Sequence, residues 1–341
     1  MPAVRRRVHA PGMSRHHGHR TDTEPTADTE PTTDTESSAD NQHGRDNGHG
    51  NHSEHGHGSG HHHTDLDWEV MAAWLEDSGD LHLPVLRQVA ARLRRPGVRR
   101  VLDIGSGPGV MTGVLAETFP DAEVVAVDGA AGLLDRALAR AERLGLGGRV
   151  SVQHAELPEG LAGLGSADLI WSSKAVHHLG DQQATLTALA GALNPGGVLA
   201  VAEGGLPTRF LPRDIGVGRP GLQARLDAAQ EEWFEAMRTG LPGSVAVVED
   251  WPAMLTRAGL TDAGSFTSLL DLPAPLGEPG RAFLHTHLSR LRGNVSEAFA
   301  PEDLDTLDVL LDPTSAEGIL RRPDAFLLSA TTVFTGVRPA H

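Results

Sequence analysis

The stretch Asp103-Ile104-Gly105-Ser106-Gly107-Pro108-Gly109 holds the residue types and spacing that most directly imply chemistry. Three glycines stand at alternate positions behind an acidic residue. With no Cβ in the way, such a loop turns sharply and brings its backbone within contact distance of a ligand. Arg99 to Leu102 leads in as a buried strand would, and Val110, Val114, Leu115 and Phe119 mark the apolar side of a helix leading out. The free N–H groups of that helix N-terminus complete a nucleotide-binding strand–loop–helix. The dinucleotide fingerprint G-x-G-x-x-G would need a glycine where Val110 stands, so that reading fails. A second carboxylate, Asp128, ends the mostly apolar strand 122–127, about 20 residues past the glycines, where it is placed to accept from both hydroxyls of a ribose. It could also cap a helix over Ala130–Leu144.

The elements that must position these groups alternate regularly. Strands are expected near 99–102, 122–128, 149–154, 168–172 and 198–203, with four intervening helices. Such an alternation requires a parallel sheet with right-handed crossovers. Gly145-Leu146-Gly147-Gly148 stops the helix before the third strand, and Leu193-Asn194-Pro195-Gly196-Gly197 turns the chain into the fifth.

An acidic residue followed by G-x-G-x-G resembles motif I of the class I S-adenosylmethionine-dependent methyltransferases. The run Ala175-Val176-His177-His178-Leu179 looks like the motif after strand four in the small-molecule branch of that family, and L-x-P-G-G before strand five is another of its hallmarks. These motifs stand in the family's order, and the resemblance covers about 67–205. It implies a Rossmann-like, seven-stranded, doubly wound α/β sheet whose seventh strand is antiparallel, with S-adenosyl-L-methionine as cofactor. It further implies a cofactor site built from Asp103, Gly105, Ser106, Gly107, Gly109, Asp128, Gly129, Ala155, Glu156 and Ser172. Glu156 stands where the family usually has an Asp that accepts from the adenine amino group.

Beyond Glu203, a helix is expected over 213–237, another over 249–260, strand six over 263–271, helices near 278–293 and 301–311, and strand seven over 326–337. The domain then runs 65–341, with a cofactor-binding core at 99–205 and helical cap insertions at 206–248 and 275–323 that would roof a substrate pocket. Glu203, Arg213, Trp233, Phe234, Arg281 and His285 are pocket candidates. Upstream, Trp68, Val70, Met71, Trp74 and Leu75 share one helix face, and Leu83, Leu86, Val89, Ala90 and Leu93 form a second stripe. Trp68 and Trp74 could pack on the core or close over the cofactor.

Composition narrows the function classes. The chain of 341 residues has no Cys and no Tyr, which excludes disulfides, thiolate sites and a tyrosine base. It carries 29 basic and 45 acidic residues, a net charge of -16 that suits neither a phosphate backbone nor nucleic-acid partners. No apolar run approaches the ~18 residues of a membrane span. Met1 to Arg20 has no apolar core of a secretory signal, so a cytoplasmic location is expected. Residues 1–64 are rich in Thr, Asp, Glu, Pro, His and Gly, and this composition predicts a disordered tail. Its second half, with His49, His52, His55, His57, His61, His62 and His63, could bind Zn or Ni incidentally. No catalytic metal site is expected.

The family's chemistry sets acceptor, methyl and sulfur in line. A hydroxyl acceptor would need a base, and His177 and His178, at the carboxyl end of strand four, are the candidates. Adjacent side chains usually point apart, so at most one of the two is expected to face the reaction. The expected function is methyl transfer to oxygen or nitrogen of a small-molecule acceptor. The alternatives are a catalytically idle cofactor-binding regulatory module and an enzyme acting on a protein or peptide. Oligomeric state is not legible.

Overall fold

The computed structural model describes residues 68–294 and 298–340. The tail and its His-rich half lie outside the described residues. In chain order the elements are α1 (Trp68–Leu93), β1 (Arg100–Ile104), α2 (Val110–Thr118), β2 (Glu123–Asp128), α3 (Ala131–Arg143), β3 (Val150–His154), β4 (Ala167–Ser173), α4 (Gln182–Gly191), β5 (Leu193–Arg209), α5 (Leu222–Gly240), α6 (Trp251–Arg257), β6 (Thr261–Leu272), α7 (Glu278–Asn294), α8 (Pro301–Leu311) and β7 (Leu327–Val337).

The strands form one seven-stranded sheet in the order β3-β2-β1-β4-β5-β7-β6. The first five are parallel, and β7 runs antiparallel to both β5 and β6. The chain winds outward from β1 to β3, then returns to place β4 on the other side of β1. That reversal opens a crevice beyond the carboxyl ends of β1 and β4, where open α/β sheets bind ligands.

Side-chain alternation along each strand feeds a core on either face. Val101, Leu169, Trp171, Val198, Ala200 and Ala202 pack with α1, α2 and α7, while Leu102, Ile104, Ile170, Leu199 and Val201 pack with α4 and α6.

Four elements differ from the sequence expectation. The two helical stripes before β1 form one helix, α1, with Pro84 inside it. Proline removes one intrahelical bond, but Ala72 on one side of it and Val85, Val89 and Ala90 on the other are buried and hold the helix together. Gly79 sets the contact with α2, since a Cβ there would stand 2.6 Å from Cγ2 of Val110. Between β3 and β4 the crossover is only a 3-10 turn, Glu159–Gly163, because Pro158 and three nearby glycines disfavour a longer helix. The helix expected from 213 begins at Leu222, after Pro212, Gly216, Gly218, Pro220 and Gly221. Finally, β5 continues past Glu203 to Arg209 through pairing with β7. The register shifts between Ala202 and Gly205, and a Cβ on Gly205 would come 2.0 Å from the Ala330 carbonyl oxygen. This bulge bends the strand at Glu203.

Candidate active site

The glycine loop is stapled to β2. The N–H groups of Gly105 and Ser106 both donate to the Val127 carbonyl, at 2.9 and 3.0 Å. Gly105 has φ +71, and a Cβ there would lie 2.5 Å from the Cβ of Ala175. Gly107, at φ +54, has nothing within 4 Å of its Cβ direction, so this side of the loop is open.

Asp128 ends β2 and accepts from the Gly107 N–H at 2.9 Å and the Ala130 N–H at 3.0 Å. The capping position of α3 is Ala130, without a side-chain cap bond, so Asp128 braces the loop from just outside the helix. Asp103 is 1% exposed and accepts from the Thr112 hydroxyl at 2.6 Å. Burial pushes its carboxyl up to about 7; Thr112 opposes the rise and the Asp128 charge adds to it. Ser172, at the end of β4, is fully buried with its hydroxyl unpartnered. Ala155 is buried and donates to the Asp128 carbonyl at 3.1 Å. The exposed Glu156 leans over Gly129, where a Cβ would meet its carboxylate at 2.8 Å.

The second half of the site follows β4. Val176–His178 is a single 3-10 turn. Glu203, 3% exposed, reaches across from β5 and accepts from the N–H groups of Ala175 and Val176, at 3.1 and 3.0 Å. Its other oxygen is 2.6 Å from His177 Nδ1. A carboxylate only accepts, so Nδ1 carries the proton and Nε2 is left with a lone pair. The expectation that the two histidines point apart is corrected. The tight turn brings their rings to 4.2 Å between centroids, tilted by 51°, with Nε2 atoms 3.1 Å apart. His178 is held near a pKa of about 4, chiefly by burial, then by His177 and Arg238, with Glu203 opposing. Phe234 on α5 packs edge-on against His177 at 5.4 Å, and Arg238 donates to the carbonyls of His177 and Leu179.

The remaining candidates are spread out. Trp74 lies under the Arg290 guanidinium, 4.2 Å from its ring, with its indole nitrogen buried and unpartnered. Trp68 opens α1, and its side chain lies outside the described residues. Arg213 is exposed in the loop before α5, and Trp233 is 41% exposed. Arg281 donates to the Leu320 carbonyl and His285 bonds the Leu311 carbonyl, which ties α7 to the segment around α8. Sequence reading missed Lys174, His82, His287 and Arg290. Their histidines and arginine come from α1 and α7, some 200 residues apart, but Lys174 carried a signal, since it is the only lysine in the chain. Among the described residues, no group of three His, Asp or Glu side chains is placed to hold a metal ion, and no helix is long and apolar enough to cross a membrane.

An open sheet of this order, with a glycine loop and a strand-end carboxylate at its switch point, defines a Rossmann-like nucleotide-binding protein. A family model described as a methyltransferase domain matches residues 101–197. A trans-aconitate 2-methyltransferase of Methylobacterium radiotolerans is 30% identical over 226 residues, 60% of this chain and 82% of its own length. A second, from Methylobacterium nodulans, is 31% identical over 198 residues, 57% of this chain and 69% of its own. An uncharacterized Synechococcus protein is 40% identical over 112 residues, and the chain spans only 26% of that relative. Among solved structures, an O-methyltransferase family protein from Burkholderia thailandensis aligns with TM-score 0.46 and 16% identity, over 81% of this chain and 61% of its own. The chain belongs to the class I S-adenosylmethionine-dependent methyltransferases, and S-adenosylmethionine is its cofactor.

The groups at the switch point fit that cofactor. The open side of Gly107, the Ser172 hydroxyl and the buried Asp103 carboxyl, of which the last two have no hydrogen-bond and no cationic partner respectively among the described residues, suit a ligand that brings hydroxyls and positive charge.

Proposed function

We propose that this chain transfers a methyl group to oxygen or nitrogen of a small-molecule acceptor. Bound S-adenosylmethionine supplies a methyl on a cationic sulfur, which ends as a neutral thioether once the acceptor's lone pair has taken the methyl carbon. In this reading the backbone of Gly105, Ser106, Gly107 and Gly109 lies against the cofactor, Asp128 turns to the ribose hydroxyls and Glu156 to the adenine amino group. Gly129, Ala155 and Ser172 line the same groove. Asp103, bonded by Thr112, stands buried behind the loop.

The observation that carries the reading is the His177–Glu203 pair at the exits of β4 and β5, beside the glycine loop. With Nδ1–H held by Glu203, the Nε2 lone pair of His177 is the group that can take a proton from a hydroxyl acceptor. Glu203 then stabilises the imidazolium. His178 is neutral at pH 7 and its Nε2 lies 3.1 Å from that of His177, so an acceptor would displace it. The net charge of -16 supports a small acceptor over a phosphate backbone.

The test is transfer of labelled methyl from the cofactor into metabolite, protein and nucleic-acid pools, repeated with His177→Gln. Label should enter the metabolite pool, and the variant should lose about 10²–10⁴-fold in kcat while S-adenosylhomocysteine binds unchanged. Label chiefly in protein or nucleic acid would reassign the acceptor class.

A further inference from the structure

The crevice beyond β4 contains cationic groups that the methyl-transfer reading leaves unused. Lys174 is the only lysine among 29 basic residues. It directly follows β4 with φ 52, and its N–H donates to the Ala202 carbonyl at 3.1 Å. Its side chain is exposed, yet the protein around it desolvates the ammonium and lowers its pKa. Among the described residues no hydrogen bond or ion pair engages that ammonium. Glu203, whose charge is close enough to act on it, already accepts three hydrogen bonds from Ala175, Val176 and His177.

Two helices pack nearby, since Gly79 of α1 abuts Val110 just past the glycine loop and α7 packs on α1. His82 on α1 and His287 on α7 both feel the charge of Lys174. They are joined by Phe283, whose ring is 5.8 Å from His82 and stacks on His287 at 6.0 Å. Arg290, one turn along α7, touches only the Trp74 ring and the Met71 sulfur and has no carboxylate partner among the described residues. The charged and titratable groups facing this space are Lys174, Arg290, His82, His287 and Glu203. Both histidines are held below their ordinary pKa, mainly by burial. Two cations without carboxylate partners among the described residues, in a chain of net charge -16, are free to meet an anionic ligand. A lysine adds a mobile point charge, where arginine would prefer a fixed planar fork.

We propose that this cluster anchors a carboxylate of the methyl acceptor, which makes the acceptor a small organic acid and Lys174 its specificity-determining contact. The inference rests on the methyl-transfer reading above. The aminoacyl carboxylate of the cofactor is a second source of the same chemistry, and the experiment separates the two.

Calorimetry on the full chain would measure S-adenosylhomocysteine first. Trans-aconitate, citrate and succinate would then be titrated onto the saturated complex, for wild type, Lys174→Gln and Lys174→Arg. At least one acid should bind the wild type saturably and bind Lys174→Gln at least tenfold more weakly. Lys174→Arg should recover part of the affinity, and S-adenosylhomocysteine should bind all three within twofold. Melting curves that match across the three proteins would show that the fold is retained. The proposal is overturned if no acid binds the wild type, or if Lys174→Gln binds acids equally well. It is also overturned if Lys174→Gln instead weakens S-adenosylhomocysteine, which would assign the lysine to the cofactor. Failure of the wild type to bind S-adenosylhomocysteine would sink the methyl-transfer reading itself.

Discussion

His177 Nδ1 stands 2.6 Å from Glu203 Oε2, although 26 residues and the whole of α4 separate them in the chain. The same carboxylate accepts from the N–H groups of Ala175 and Val176, so one buried side chain holds both the turn after β4 and the tautomer of its histidine. Glu203→Gln offers an amide N–H to groups that need an acceptor. It should destabilise the fold by about 1–3 kcal/mol, read from denaturant melts. It should also lower kcat, with S-adenosylhomocysteine affinity changed less than twofold. Unchanged turnover would remove the pair from the chemistry.

Asp128 is expected to exchange its loop contacts for the ribose hydroxyls when the cofactor binds. Asp128→Ala should weaken cofactor binding by roughly 2–4 kcal/mol, since two hydrogen bonds to a charged acceptor are lost. Calorimetry with equal affinity for both proteins would reject the ribose assignment.

Asp103 makes stability depend on pH. Its folded pKa of about 7 lies above the ordinary aspartate value of 3.8 that holds in the unfolded chain. Between these values the folded state binds the extra proton. The contribution is therefore fully present below about pH 4 and is lost as pH rises through 7, with a slope of up to ~1.4 kcal/mol per pH unit. Melts of the cofactor-free protein between pH 5 and 8 should show this slope reduced in Asp103→Asn. A slope identical in both proteins would place the pH dependence elsewhere.

Gly105→Ala combines a positive φ with a contact 2.5 Å from the Cβ of Ala175. Both the strain and the clash oppose the substitution, so it should cost more than about 1 kcal/mol in stability and weaken S-adenosylhomocysteine binding. Gly107→Ala has the positive φ but no clashing neighbour, so it should be milder in the melt and still weaken the cofactor. If Gly107→Ala were the more destabilising of the two, the packing of Gly105 against the strand-four turn would be misjudged.

Much of the cofactor half of the site was legible because its groups are local. Asp103, Gly105, Gly107 and Gly109 span seven residues, and the strand–loop–helix that presents them is specified by their own backbone needs. Asp128 was legible because it ends the next strand, and β1 and β2 pair in direct register, with Ile104 opposite Val127. The acceptor half was less legible. That the histidine rings meet follows from a three-residue turn tied down by Glu203 and Arg238, and neither partner is near them in sequence.

The sequence by itself determined the alternation of strands and helices, the glycine loop, the strand-end carboxylates and the family, because each is written in short-range spacing that backbone sterics and hydrophobic periodicity translate directly. Only the tertiary structure decided which side chains share the acceptor space. His82, Lys174, Glu203 and His287 lie on four separate elements, and no local preference relates them. In the proposed reading they come to one space because the sheet reverses its winding at β1, β5 carries a register shift just after Ala202, and α1 packs against α7. Their charges act on one another through distances that exist only once those long-range contacts have formed.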